Sequence, residues 1–163
     1  MSTPQPDARP SSGQWPRSRL GAECITPESV AFVVRHTSGF VRVPVAAAET
    51  RERLNLPQMV RHNEQRHSPA YTVTVDASRG VSTGISTRDR CRTIRVLADE
   101  TSGPGDLTRP GHVLPLRAAA DGLLARAGFT EAVVEPARLG LLGGQNTCTL
   151  LEFHPALSRA VRV

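Results

Sequence analysis

The stretch Tyr71-Thr-Val-Thr-Val-Asp76 is β-branched at every second position or better, which commits the middle of the chain to a strand. Other segments support a sheet around it. Phe40 to Val45 alternates apolar with polar or small residues, Pro44 favouring its end or a sheet edge. Val113–Arg117, Gly122–Arg126 and Thr147–Phe153 read as further strands. Helices fall between them. Thr26-Pro27-Glu28 offers a capping hydroxyl, a first-turn proline and a first-turn acid, predicting a helix to about His36 with Val30, Phe32, Val33 and Val34 on its apolar face. Ala46–Leu54 is a second short helix, Ser86 with Asp89 has capping-box character and opens a third to about Ala98, and Thr130 caps a fourth to about Leu139. Strands and helices mixed without strict alternation argue for an α+β domain layered around a mixed sheet.

At 163 residues the chain has the length of one domain with a substantial core. Residues 1–20 hold four prolines and five serines or threonines among few aliphatics, and read as a flexible leader before a domain at 21–155 and a tail at 156–163. Every one of the 20 basic residues is arginine, which excludes lysine Schiff-base chemistry. The charge of +5 does not announce a nucleic-acid binder, because the arginines are scattered singly. Cys24, Cys91 and Cys148 stand far apart, without a CxxC pair or secretory leader, which suits a reducing cytoplasm. No apolar run approaches the roughly 18 residues of a membrane-spanning helix.

Three clusters invite a chemical reading. His62, Glu64 and His67 are metal-ligand types in a polar loop between Asn55 and Ala70, but their spacing matches no established metal motif. Gly80 to Gly84 is glycine-bearing and lacks a Walker lysine. The third is Arg109-Pro-Gly-His112 with Arg126-Ala-Gly-Phe-Thr-Glu131. Alone, His112 ordinarily reads as a hydrogen-bonded structural histidine, Arg126 as a solvated arginine, Thr130 as a helix cap and Glu152 as an edge-strand acid.

Taken in order, Ala22-Glu23, Thr26-Pro27, Arg35-His36-x-x-Gly39, Leu56-Pro57-x-Met59-Val60, Thr72-Val-Thr-Val-Asp76, Gly80-Val-Ser-Thr-Gly-Ile-Ser86, Asp89-Arg90-x-x-Thr93-Ile94, Arg109-Pro-Gly-His112 and Arg126-x-Gly128-x-Thr130-Glu131 resemble the 3,4-dihydroxy-2-butanone 4-phosphate synthase family. The resemblance implies a three-layer α+β domain, a homodimer with active sites near its interface, and magnesium-assisted conversion of ribulose 5-phosphate to a four-carbon phosphate and formate. It also implies that Arg126 and Thr130 hold the phosphate, that His112 and Glu152 serve proton transfers, and that Thr83 and His67 border the pocket. Three departures stand against this, one being that Pro44 stands where the family has a cysteine after its first strand. The family's acidic loop has no counterpart in residues 1–20, where Asp7 is the only acid, and Phe129 stands where the family has a metal-binding histidine. The expected site is therefore His112, Glu152 and His67 for catalysis and Arg126, Thr130, Thr83, Phe129 and Arg109 for substrate contact, with no metal and no cofactor. The expected function is a repurposed, metal-independent enzyme of specialised metabolism acting on a small molecule. The original synthase activity and a non-catalytic dimeric scaffold are the alternatives, and neither nucleic acid nor membrane is expected as a partner.

Overall fold

The computed structural model describes residues 25–36, 41–46, 52–65 and 69–138. The expectations for the leader, the tail, Cys24, His67, Cys148, Glu152 and the Thr147–Phe153 strand lie outside these residues. So does most of the helix expected over Ala46–Leu54, of which Glu52 and Arg53 are described and helical.

Among the described residues, three strands form one mixed sheet in the order β1 (Arg42–Val45), β3 (Leu107–Arg117), β2 (Val75–Ala77). β1 runs parallel to β3, with Pro44 opposite Leu116, and β2 runs antiparallel to it. The outer place of β1 in this order suits Pro44, which has no N–H to give a second neighbour.

Helix α1 (Pro27–His36) packs on α2 (Thr87–Ala98), which packs on β2 and β3, so helix, helix and sheet make three layers. Ile94, Leu97 and Ala98 of α2 meet Val43, Val45, Val75 and Val113 of the sheet in a core where most are fully inaccessible. Burial of each large aliphatic there contributes about 1.5–3 kcal/mol. Ser86 caps α2 as expected, its hydroxyl accepting from the Asp89 N–H. The Arg53 guanidinium donates to the carbonyls of Leu97, Asp99 and Ser102, covering the groups that the end of α2 leaves unpaired.

Three expectations change. The strand read over Tyr71–Asp76 is regular only at Val75–Ala77, while Tyr71 and Thr72 make isolated bridges to Leu116 and Gln58. The three glycines and two prolines of residues 99–111 are loop composition in the sequence, yet the strand begins at Leu107, because Leu107 and Thr108 pair with Ala77 and Asp76. The strand read over Gly122–Arg126 is a one-turn helix, α3 (Gly122–Ala125). Its two leucines and alanine favour helix, and Gly122 turns the chain into it at φ 59°. Helix α4 (Phe129–Arg138) follows and reaches β1.

Candidate active site

The Arg109–His112 motif forms its site by breaking the sheet. In an unbroken antiparallel ladder Asp76 would face His112, one step from the Val75–Val113 pair. Instead it faces Thr108, so Arg109 to His112 bulge out of β3. The Arg109–Pro110 peptide within the bulge is cis. Gly111 lies against the backbone of Val75 and Asp76, where any Cβ would overlap it, and donates its N–H to Thr74 Oγ1.

That excursion brings His112 back onto Asp76 at two points. The His112 backbone N–H donates to Asp76 Oδ1 at 3.0 Å, and its Nδ1 lies 2.7 Å from Asp76 Oδ2. Asp76 is buried, while the His112 side chain is 40% exposed. A carboxylate on Nδ1 fixes the imidazole tautomer and plane, leaving Nε2 as the accepting nitrogen on the open side. This pair can take a proton from carbon or oxygen and return it.

The Gly80–Ser86 loop lies against the pair. Gly84, at φ 85°, packs on the Asp76 carboxylate so closely that a Cβ would collide with Oδ2. Thr83 is exposed on this loop, next in sequence to Gly84. The loop is held by Asp89 Oδ2, which accepts from Ser82 N–H, Ser82 Oγ and Gly84 N–H. These bonds, the Ser82 hydroxyl first, hold the Asp89 carboxyl below the ordinary aspartate range.

A second polar group lies beyond the other end of β3. Glu131, fully buried in the first turn of α4, accepts the Ala119 N–H with Oε1. Its Oε2 lies 3.9 Å from Arg126 Nε and has no hydrogen-bond partner among the described residues. Thr130 is buried here too, but as the second residue of α4 rather than its cap: Ala132 N–H bonds to Gly128 O, so Gly128 takes the cap position. From His112 to Arg117 alone, β3 advances roughly 17 Å at about 3.3 Å per residue. Within one subunit, then, His112 and the Arg126–Thr130 segment stand apart.

Arg109 departs from its expected role. Its guanidinium donates to the carbonyls of Pro104, Leu107 and Leu54, strapping the bulge to the neighbouring loops. It therefore lacks the open fork that a substrate phosphate would use. Phe129 opens α4, and its ring lies outside what is described, as do His67 and Glu152. Sequence reading missed Asp76, Asp89 and Glu131 as working residues. The one visible signal was Asp76, an acid ending an otherwise apolar and β-branched strand. Cys91 is buried, bonds to Ile25 O, and has its thiol pushed up by burial, so it packs as an apolar residue.

The family model for 3,4-dihydroxy-2-butanone 4-phosphate synthase matches residues 19–158, and the chain belongs to that family. It is 54% identical over 141 residues to the riboflavin biosynthesis protein RibBA of Salinispora arenicola, covering 86% of this chain and 33% of that protein. To the RibBA protein of Rhodococcus jostii it is 56% identical over 120 residues, covering 74% of this chain and 28% of that one. The chain thus spans about a third of the length of these curated relatives. A crystal structure of a 3,4-dihydroxy-2-butanone 4-phosphate synthase in complex with two magnesium ions superposes with a TM-score of 0.76 at 46% identity, covering 82% of this chain and 61% of that one. A cation-free form gives 0.70 at 44% identity, covering 80% and 58%. No helix among the described residues is long and apolar enough to cross a membrane.

Magnesium binds through oxygen ligands. The described residues do not fit it. They hold no group of three histidines, cysteines or acids placed for a metal. Asp76 has both oxygens on His112, Asp89 Oδ2 accepts three donors, and α4 opens on a phenylalanine.

Proposed function

We propose that this chain acts on ribulose 5-phosphate as a 3,4-dihydroxy-2-butanone 4-phosphate synthase of riboflavin biosynthesis. The observation that carries this is the Asp76–His112 pair, set by a bulge in a fold shared with that family. Relatives above 50% identity that are riboflavin proteins favour it over the recruited enzyme of specialised metabolism expected from sequence. In this reading Arg126, backed by Glu131, and Thr130 hold the phosphate, while His112 Nε2 removes a proton next to the sugar carbonyl and returns it later. Thr83 borders the sugar. Glu152 and His67 complete the proton transfers, in a cytoplasmic homodimer.

Because His112 and Arg126 stand apart in one subunit, the proposed dimer unites His112 of one protomer with Arg126 of the other. Formate release from ribulose 5-phosphate by purified protein, with and without magnesium, tests the activity. Mixing His112→Ala with Arg126→Ala tests the shared site. Each variant alone should be inactive, and the mixture should regain about a quarter of wild-type activity, as random re-pairing of a two-fold dimer gives one intact site in half the dimers.

The committed carboxylates and Phe129 favour a second reading, in which the same pair performs metal-independent proton exchange on a related phosphosugar without carbon–carbon cleavage. Deuterium wash-in from solvent without formate would select it. Formate release would select the first, and the absence of both would leave a binding protein.

A further inference from the structure

We propose that Asp89 is the positioning residue of the Asp76–His112 pair. The inference rests on that pair being the working centre. Two separate connections run from Asp89 to Asp76. Through its side chain, Oδ2 accepts from Gly84 N–H at 3.2 Å, from Ser82 N–H at 3.2 Å and from the Ser82 hydroxyl at 2.8 Å, pinning the loop whose Gly84 presses on the Asp76 carboxylate. Through its backbone, Asp89 O accepts the Thr93 hydroxyl at 3.1 Å, and that hydroxyl oxygen accepts the Ala77 N–H at 2.9 Å, one residue past Asp76. Asp76 is thereby gripped from its side chain and from its backbone by neighbouring turns of one helix.

Burial makes the grip firm. Asp89, Thr93 and Gly84 are all buried, so each of these groups would lie unpaired if its partner withdrew. The Ser86 cap fixes the Asp89 backbone at the start of α2, which leaves the carboxylate little choice of direction. A carboxylate suits the place because it can only accept, and three donors converge on one oxygen. An amide oxygen attracts the same donors more weakly, and its NH₂ group is repelled by them. Asp89 makes no hydrogen bond to His112; its partners are Ser82, Gly84, Ser86 and Thr93. It acts by fixing where Asp76 sits, and so which way Nε2 of His112 faces.

The test is ¹⁵N NMR of the imidazoles in the full chain, read alkaline of the ordinary histidine value of about 6.5. His112 is assigned by its loss in His112→Ala. Wild type should show one His112 tautomer, protonated at Nδ1. Asp89→Asn should shift His112 toward a mixture of tautomers, while His62, on a distant exposed loop, stays unchanged. Should Asp89→Asn fail to fold, Ser82→Ala, which removes the shortest of the three bonds, should move the same resonances in the same direction by a smaller amount. Thr93→Ser, which keeps the hydroxyl, should leave them in place. A folded Asp89→Asn protein with an unaltered His112 tautomer would overturn the proposal, as would unaltered His112 resonances in Ser82→Ala. The readout needs no substrate, so it stands apart from the question of ribulose 5-phosphate turnover. If that turnover is present, Asp89→Asn should lower kcat about tenfold to a hundredfold with KM nearly unchanged.

Discussion

The two ends of β3 solve the problem of buried polar groups in opposite ways. At the His112 end, every oxygen of Asp76 and the loop-facing oxygen of Asp89 are hydrogen-bonded, and two glycines let backbone close over them. At the α4 end, Glu131 is as deeply buried, yet one of its oxygens has only a distant Arg126 Nε, and nearby Leu124 is 99% exposed. A saturated network fixes geometry, whereas a part-saturated one leaves an electrostatic demand open. The first suits a proton-transfer centre that must hold its angle; the second suits a place that meets an anion or another surface.

The largest test of that contrast is His112→Ala. Turnover should fall by about a hundredfold or more, since general acid–base groups contribute about 10²–10⁴-fold, while stability should fall by only about 1–3 kcal/mol as buried Asp76 Oδ2 loses its partner. Retained activity would remove the pair from the chemistry. Gly111→Ala comes next: a Cβ in the Val75–Asp76 backbone should cost about 3 kcal/mol, read as a lowered urea midpoint. Its α4 counterpart, Glu131→Gln, should change stability by less than about 1 kcal/mol, because it keeps the acceptor for Ala119 N–H and alters only the oxygen that has no hydrogen-bond partner among the described residues. A loss as large as that of Gly111→Ala would mean the two ends are equally rigid.

Acidification separates them further. The Asp89 pKa is lower folded than unfolded, so its contribution is complete above the unfolded value of about 3.9 and is lost as pH falls through the depressed folded value. Acid unfolding curves for Asp89→Asn should therefore converge with wild type on the acid side and diverge above it. The smallest effect belongs to Leu124→Ser, which should alter stability by under about 0.5 kcal/mol, since the side chain is almost wholly in water.

Much of this was legible in the residues. The α2 cap, α1 and the strand sense of Val75 and Val113 follow from local patterning, and ordered motifs carried the family. What was hidden is tertiary. The early start of β3 depends on pairing with Ala77, which no local propensity encodes against the glycines and prolines of residues 99–111. Arg109 read as a substrate contact because guanidinium donors suit oxygen acceptors equally well whether these belong to a substrate or, as here, are the carbonyls of Leu54, Pro104 and Leu107. Asp89 read as part of a cap, and only the folded loop shows its carboxylate reaching back to Ser82 and Gly84.

The excursion at Arg109–His112 adds an even number of residues to β3, and strand side chains alternate with a period of two. Leu107 before it and Val113 after it consequently stay in phase, both turned to the interior. The chemistry thus rides on the sheet as a cassette that leaves the pleat undisturbed. Excising those four residues should keep the two flanking pairs in phase but leave buried Asp76 without its partners.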